Sequence, residues 1–203
     1  MGAGMSLMYS VTHPEQVKRL IMLDAIKPVS RSLDTIIKRT RSSVDDLLSI
    51  EAKLSSGRGN FYTYESALQR LLEGSNQIHG QESITVDSAK ILLERGLKKA
   101  QDGKEDSWEF TRDLKHRITS LYGYPQEVMR TVAAEVKCPH LIIKAKQGNL
   151  YEPLENVTEI LEIYARTNPL FRKVEVDGNH HVHLNSPENV WPEIQTFLDG
   201  TDI

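Results

Sequence analysis

Three histidines fall within four positions, His180, His181 and His183, in the run Val176-Asp177-Gly178-Asn179-His180-His181-Val182-His183-Leu184-Asn185-Ser186-Pro187-Glu188. Imidazole changes protonation near neutrality, so such a cluster suits general acid–base work or metal ligation. A metal site would call for carboxylate or cysteine partners at ligand spacing, and no such motif accompanies the cluster. No metal and no cofactor is therefore expected. A catalytic base needs a carboxylate behind it and a nucleophile in front. Asp24, which closes the apolar run VKRLIMLD, is the candidate acid, although an aspartate at a strand end also commonly caps the following turn. Asp177 is weaker, being too near His180 in sequence to orient it from behind. The serine pattern G-x-S-x-G occurs nowhere in the 203 residues, and Ser6, Ser56 and Ser75 have the wrong neighbours.

The elements that must carry these residues follow from periodicity. Residues 1–13 are small and apolar, with Met5, Met8 and Tyr9 at helical spacing, and His13-Pro14 ends the run. Val17 to Asp24 reads as a buried parallel strand. Residues 27–137 are charged and helical: Ile36, Ile37, Val44, Leu47, Leu48, Leu54 and later Ala89, Leu92, Leu93 and Leu97 follow a period of 3.6. Asp34 and Asp87 are candidate N-caps, and Glu94 to Glu105 reads as a solvated helix face and loop. After a helix over Pro125–Ala134, strands are expected at His140–Ala145 and Phe171–Val176, and helices at Leu154–Thr167 and Pro187–Leu198. Alternating strands and helices imply an α/β fold with a parallel sheet. Three strands are too few for the helices present.

Composition narrows the partners. The chain has 25 basic and 28 acidic residues, a net charge of -3, and no basic stripe, so nucleic acid is not an expected partner. Cys138 is the only cysteine, which excludes an internal disulfide and points to an intracellular, cytoplasmic setting. No apolar run is long enough for a transmembrane segment.

Taken together, MGAGMSLMYSVTHPEQVKRLIMLDAI resembles the stretch that follows the nucleophile elbow of α/β-hydrolases. The histidine run resembles that family's histidine loop, with Pro187-Glu188 opening the last helix. The chain is similar to the serine hydrolase-like proteins from Met1 to about Leu198. That resemblance implies a partial α/β-hydrolase fold: helix and core strand over residues 1–27, an all-helical cap over 28–137, and the C-terminal core with its histidine loop over 138–203. It makes His180 the catalytic histidine, Gly2 the elbow glycine and Met1 an oxyanion-hole donor, and it places the serine immediately before Met1. Many members carry the triad acid where Gly148 stands; haloalkane dehalogenases use the earlier position, which Asp24 occupies here. Trp108 and Phe110 are candidate substrate-binding residues, with packing in the insertion as the alternative. The implied activity is hydrolysis of a small ester-like substrate by a Ser-His-Asp triad. The 203 residues alone are expected to be inactive, the alternative being a non-catalytic product that acts by binding.

Overall fold

The computed structural model describes residues 2–55, 60–80, 83–118 and 123–200. In chain order it places α1 (Gly2–Thr12), β1 (Leu20–Leu23), α2 (Leu33–Ser55), α3 (Tyr64–His79), α4 (Val86–Gly96), β2 (Leu97–Lys99), β3 (Trp108–Phe110), α5 (Gln126–Ala134), β4 (His140–Ala145), α6 (Leu154–Thr167), β5 (Phe171–Val176), α7 (Val182–Asn185) and α8 (Trp191–Asp199). The chain divides into two units, one formed by residues 1–33 with 123–203 and the other by residues 34–122.

In the first unit β1, β4 and β5 form a parallel sheet in that order, with Leu20 opposite His140 and His140 opposite Phe171. The α/β expectation holds. β4 is the central strand, and Leu141, Ile142 and Ile143 are fully buried. Successive side chains of a strand face opposite ways, so these three residues serve two cores. Ile142 joins Leu7 of α1, Met22, Met129, Ile160 and Tyr164 on one face. Leu141 and Ile143 join Val176, Val182, Val190 and Phe197 on the other. β1 is shorter than the expected Val17–Asp24. Its register begins at Leu20 opposite His140, the first residue of its partner, so Val17 to Arg19 have no β4 residue to pair with. β1 is also an edge strand of this sheet, and with α1 it lines a groove of Met5, Tyr9, Val17, Leu20 and Ile21.

The second unit is mostly helical, but it is not the all-helical insertion expected. Leu97–Lys99 and Trp108–Phe110 form a two-stranded antiparallel ribbon, Leu97 opposite Phe110. The stretch Glu94 to Glu105, expected as a solvated helix face and loop, leaves α4 at Gly96, runs through β2 and turns back through Gly103, whose φ of 77° suits glycine. Lys99 then lies 4.1 Å from the centroid of the Trp108 ring. The N-caps also differ from expectation. Thr85 caps α4 by accepting the Ser88 N–H, and Asp87 sits inside the first turn, where its charge complements the helix dipole. Asp34 likewise lies within the first turn of α2. Among the described residues no helix is long and apolar enough to cross a membrane.

One buried group in the first unit carries a pH prediction. His140 is wholly buried between Tyr164 and Phe171, with Nε2 3.3 Å from the Met22 sulfur and Nδ1 without a partner among the described residues. Burial pushes its pKa down to about 4 from the ordinary 6.5. Between those values the unfolded chain binds a proton that the folded chain refuses. Stability therefore falls as pH drops from 6.5 toward 4, by about 3 kcal/mol in all. Denaturant titrations of the wild type and His140→Leu at pH 7.5 and 4.5 check this: the variant should lose less stability on acidification.

Candidate active site

The end of β1 and the loop after β5 come together at the carboxyl edge of the sheet. Asp24 leaves β1 in the left-handed region, at φ 48°, while its N–H still donates to the Ile143 carbonyl at 2.8 Å. Aspartate tolerates that conformation better than a branched residue does. The turn sends its carboxylate back over the end of β4, where it is fully enclosed. Oδ2 lies 2.7 Å from His180 Nδ1. Oδ1 accepts the Lys144 ammonium at 2.5 Å and the Ala145 N–H at 3.1 Å. Burial works to raise the carboxyl pKa, but the bonds from His180, Lys144 and Ala145 outweigh it and hold the group below its ordinary value.

An ionised carboxylate only accepts hydrogen bonds, so the proton of the His180–Asp24 bond sits on Nδ1. In the neutral ring Nε2 then carries the lone pair, the form a general base needs. The ring is partly open to solvent, with 28% of the side chain exposed, so a reacting group can reach it. Tyr151 stands perpendicular to it at 6.3 Å between centroids.

The loop that carries His180 is tightly knitted. Gly178 has φ 137°, and a Cβ there would lie 2.6 Å from Val182 Cγ2, so both backbone and space require glycine. Its N–H donates to Gln147 Oε1 at 2.7 Å, and its carbonyl accepts the Gln147 N–H at 3.0 Å. The Asn179 side chain accepts the His181 N–H at 2.9 Å, and Asn189 Nδ2 donates to the Asp177 carbonyl at 2.9 Å. Asp177 itself points elsewhere, paired with Lys146 at 2.8 Å. His183 is partly buried; burial and the neighbouring His180 lower its pKa against the opposing pull of Asp24. Among the described residues no three His, Cys, Asp or Glu side chains are gathered as metal ligands.

No protein-family model matches the chain. Curated relatives do. A serine hydrolase-like protein of Danio rerio is 28% identical over 202 residues, an alignment that takes 98% of this chain and 58% of the relative. A probable serine hydrolase of Drosophila melanogaster is 25% identical over 198 residues, taking 98% of this chain and 57% of the relative. The chain thus spans less than two thirds of the relatives it matches. Among solved structures, a hypothetical protein from Pseudomonas aeruginosa superposes with a TM-score of 0.74 at 24% identity, over 96% of this chain and 62% of that one. The chain is similar to serine hydrolase-like proteins over nearly its whole length, and it shares the fold of solved α/β-hydrolases.

The other expected site residues are placed as follows within their own units. Met1 lies outside the described residues. Gly2 begins α1 and is exposed, and a Cβ there would meet no described atom within 4 Å; at Gly4 it would come 3.3 Å from Pro28 Cγ. Trp108 and Phe110 sit half-buried on β3 of the second unit. Their rings meet Tyr64 at 6.0 Å and Tyr62 at 5.5 Å, and Trp108 Nε1 donates to Asp106 at 2.8 Å, contacts that pack the ribbon. Lys144, Gln147, Asn179 and Tyr151 were not singled out from sequence. Lys144 could have been: it is the one charge inside the apolar strand HLIIKA.

The absence of a side chain at Gly148 leaves room for the Asp24 carboxylate. A Cβ built at Gly148 would lie 2.2 Å and 2.5 Å from the two Asp24 carboxylate oxygens and 2.5 Å from Lys144 Nζ. The carboxylate from β1 fills the space that a side chain at 148 would need. Gly148→Ala is expected to cost about 1–3 kcal/mol, the usual range for overpacking, and to push Asp24 off His180. Denaturant unfolding measures the first effect and a crystal structure of the variant the second.

Proposed function

We propose that the chain carries the base and the acid of a Ser-His-Asp hydrolase for small ester-type substrates. The observation that carries this is the 2.7 Å bond between His180 Nδ1 and an enclosed Asp24 carboxylate at the carboxyl edge of a parallel sheet. The serine is assigned, on the family's G-x-S-x-G pattern, to the residue before Met1, at the N-terminal end of α1. His180 Nε2 takes the hydroxyl proton as Oγ adds to the substrate carbonyl carbon. Asp24 holds the Nδ1–H tautomer and stabilises the imidazolium. The tetrahedral intermediate collapses, the C–O bond to the alcohol breaks, and His180 returns the proton to the leaving oxygen. Water repeats the sequence on the acyl-serine. The N–H of Met1 is assigned as one donor to the oxyanion.

The test uses the protein extended upstream through the G-x-S segment, termed below the serine-bearing protein. Rapid mixing with 4-nitrophenyl acetate should release a burst of nitrophenol matching the enzyme concentration, followed by slower turnover, because acyl-serine forms faster than it hydrolyses. Absence of any catalysed release from the acetate, butyrate and octanoate esters would refute the proposal.

A further inference from the structure

A lysine has no part in the hydrolytic sequence just given, yet one lies against its acid. Lys144 comes from the fifth position of β4, and only 12% of its side chain is exposed. Its ammonium donates to Asp24 Oδ1 at 2.5 Å and to its neighbour's carbonyl, Ala145 O, at 3.1 Å. The two carboxylate oxygens are thereby divided: Oδ1 receives Lys144 and the Ala145 N–H, and Oδ2 is the one at His180. We infer that Lys144 is a positioning residue for the reaction: its ammonium holds Asp24 Oδ1 and so turns Oδ2 onto the His180 ring.

This inference rests on the reading of Asp24 and His180 as the acid and base. Its physical ground is that an enclosed carboxylate is costly unless each oxygen is satisfied. Without Lys144 and with His180 neutral, one backbone N–H and one imidazole N–H would be its only donors among the described residues. Lys144 adds a full positive charge and a third donor, and the arrangement of Lys144, Asp24 and neutral His180 has no net charge. Of the surrounding groups, His183 of α7 and Tyr151 of the loop after β4 also interact electrostatically with Asp24. Glu175 of β5 interacts with Lys144 but is itself bonded to Lys173 at 2.7 Å. Among these, Lys144 is the cation in hydrogen-bond contact with the acid. Gly148 completes the arrangement, since a side chain there would collide with Lys144 Nζ as well as with the carboxylate. The pairing is specific to the acid's place on β1: the ammonium reaches sideways from β4 to the neighbouring strand end, along the β1–β4 register that sets Leu23 opposite Ile143.

The experiment compares Lys144→Met, Lys144→Gln and Lys144→Arg in the serine-bearing protein, with circular dichroism as the fold check. The first readout is the downfield proton signal of His180 Nδ1–H between pH 6 and 8, assigned by its loss in His180→Gln. It should be present in the wild type and in Lys144→Arg, and lost in Lys144→Met and Lys144→Gln. The second is ester hydrolysis, where both neutral variants should lose about 10- to 100-fold in kcat, the scale of one charged hydrogen bond, with KM within twofold. A merely structural ion pair would lower the melting temperature and leave the Nδ1–H signal in place. Persistence of that signal in both neutral variants overturns the inference, whatever happens to kcat. Loss of the signal with kcat unchanged upholds the positioning role and instead sinks the proposed function, so the two failures are distinct.

Discussion

His180→Ala in the serine-bearing protein lowers kcat for a short aryl ester by about 10⁶-fold, the scale seen when a triad loses its base. KM changes little, because the imidazole moves protons rather than gripping the substrate. The serine hydroxyl is a weak nucleophile at neutral pH, and the described site offers its proton one well-placed acceptor, the Nε2 left open when Nδ1 binds Asp24. The fold should survive, since the ring is partly exposed and the loop is held by Gly178, Asn179 and Gln147 independently of it. Steady-state kinetics with circular dichroism on the same sample provides the check. A loss of less than tenfold would remove His180 from the chemistry.

Asp24→Asn has two effects that His180→Ala lacks. An amide presents one oxygen and one NH2 where two acceptors are needed. Whichever way it turns, a donor faces either Lys144 or His180. If the amide NH2 faces His180, the ring is driven to the other tautomer, with its proton on Nε2, and cannot act as base. A loss of about 10⁴-fold in kcat is expected. The second effect is on stability. Lys144 keeps its charge in a site where 12% of its side chain is exposed, now without its counter-ion. Breaking a buried pair from one side costs on the order of 3 kcal/mol. Kinetics and denaturant unfolding on one preparation test both. A variant that is stable and nearly active would mean that the carboxylate is a turn cap and no more.

Much of the core was legible in the sequence because apolar periodicity reports burial. His140–Ala145, Leu154–Thr167 and Phe171–Val176 stand where alternation and helical spacing put them. The pairing of Asp24 with His180, which are 156 residues apart, was legible only through the resemblance to a known family, since no local pattern encodes so distant a contact. What stayed hidden depends on three-dimensional proximity between unlike segments. The ribbon of Leu97–Lys99 and Trp108–Phe110 has strands of three residues, too short for a period to stand out. The start of β1 was set by its partner rather than by its own composition: Val17 is as apolar as Leu20, but β4 begins at His140. Lys144 looked like an interruption of a buried strand, and only the fold shows an enclosed carboxylate next to it. Gly148 looked like a gap in the family pattern, and only the fold shows that the Asp24 carboxylate occupies that space.

The central claim is that His180 and Asp24 serve a serine just upstream of α1. Its most direct test is labelling of the serine-bearing protein with a fluorophosphonate, followed by mass mapping of the modified peptide. The account predicts a single adduct, on the serine immediately before Met1, that disappears in His180→Ala. Labelling of a serine within the 203 residues, or an adduct indifferent to His180→Ala, would contradict it.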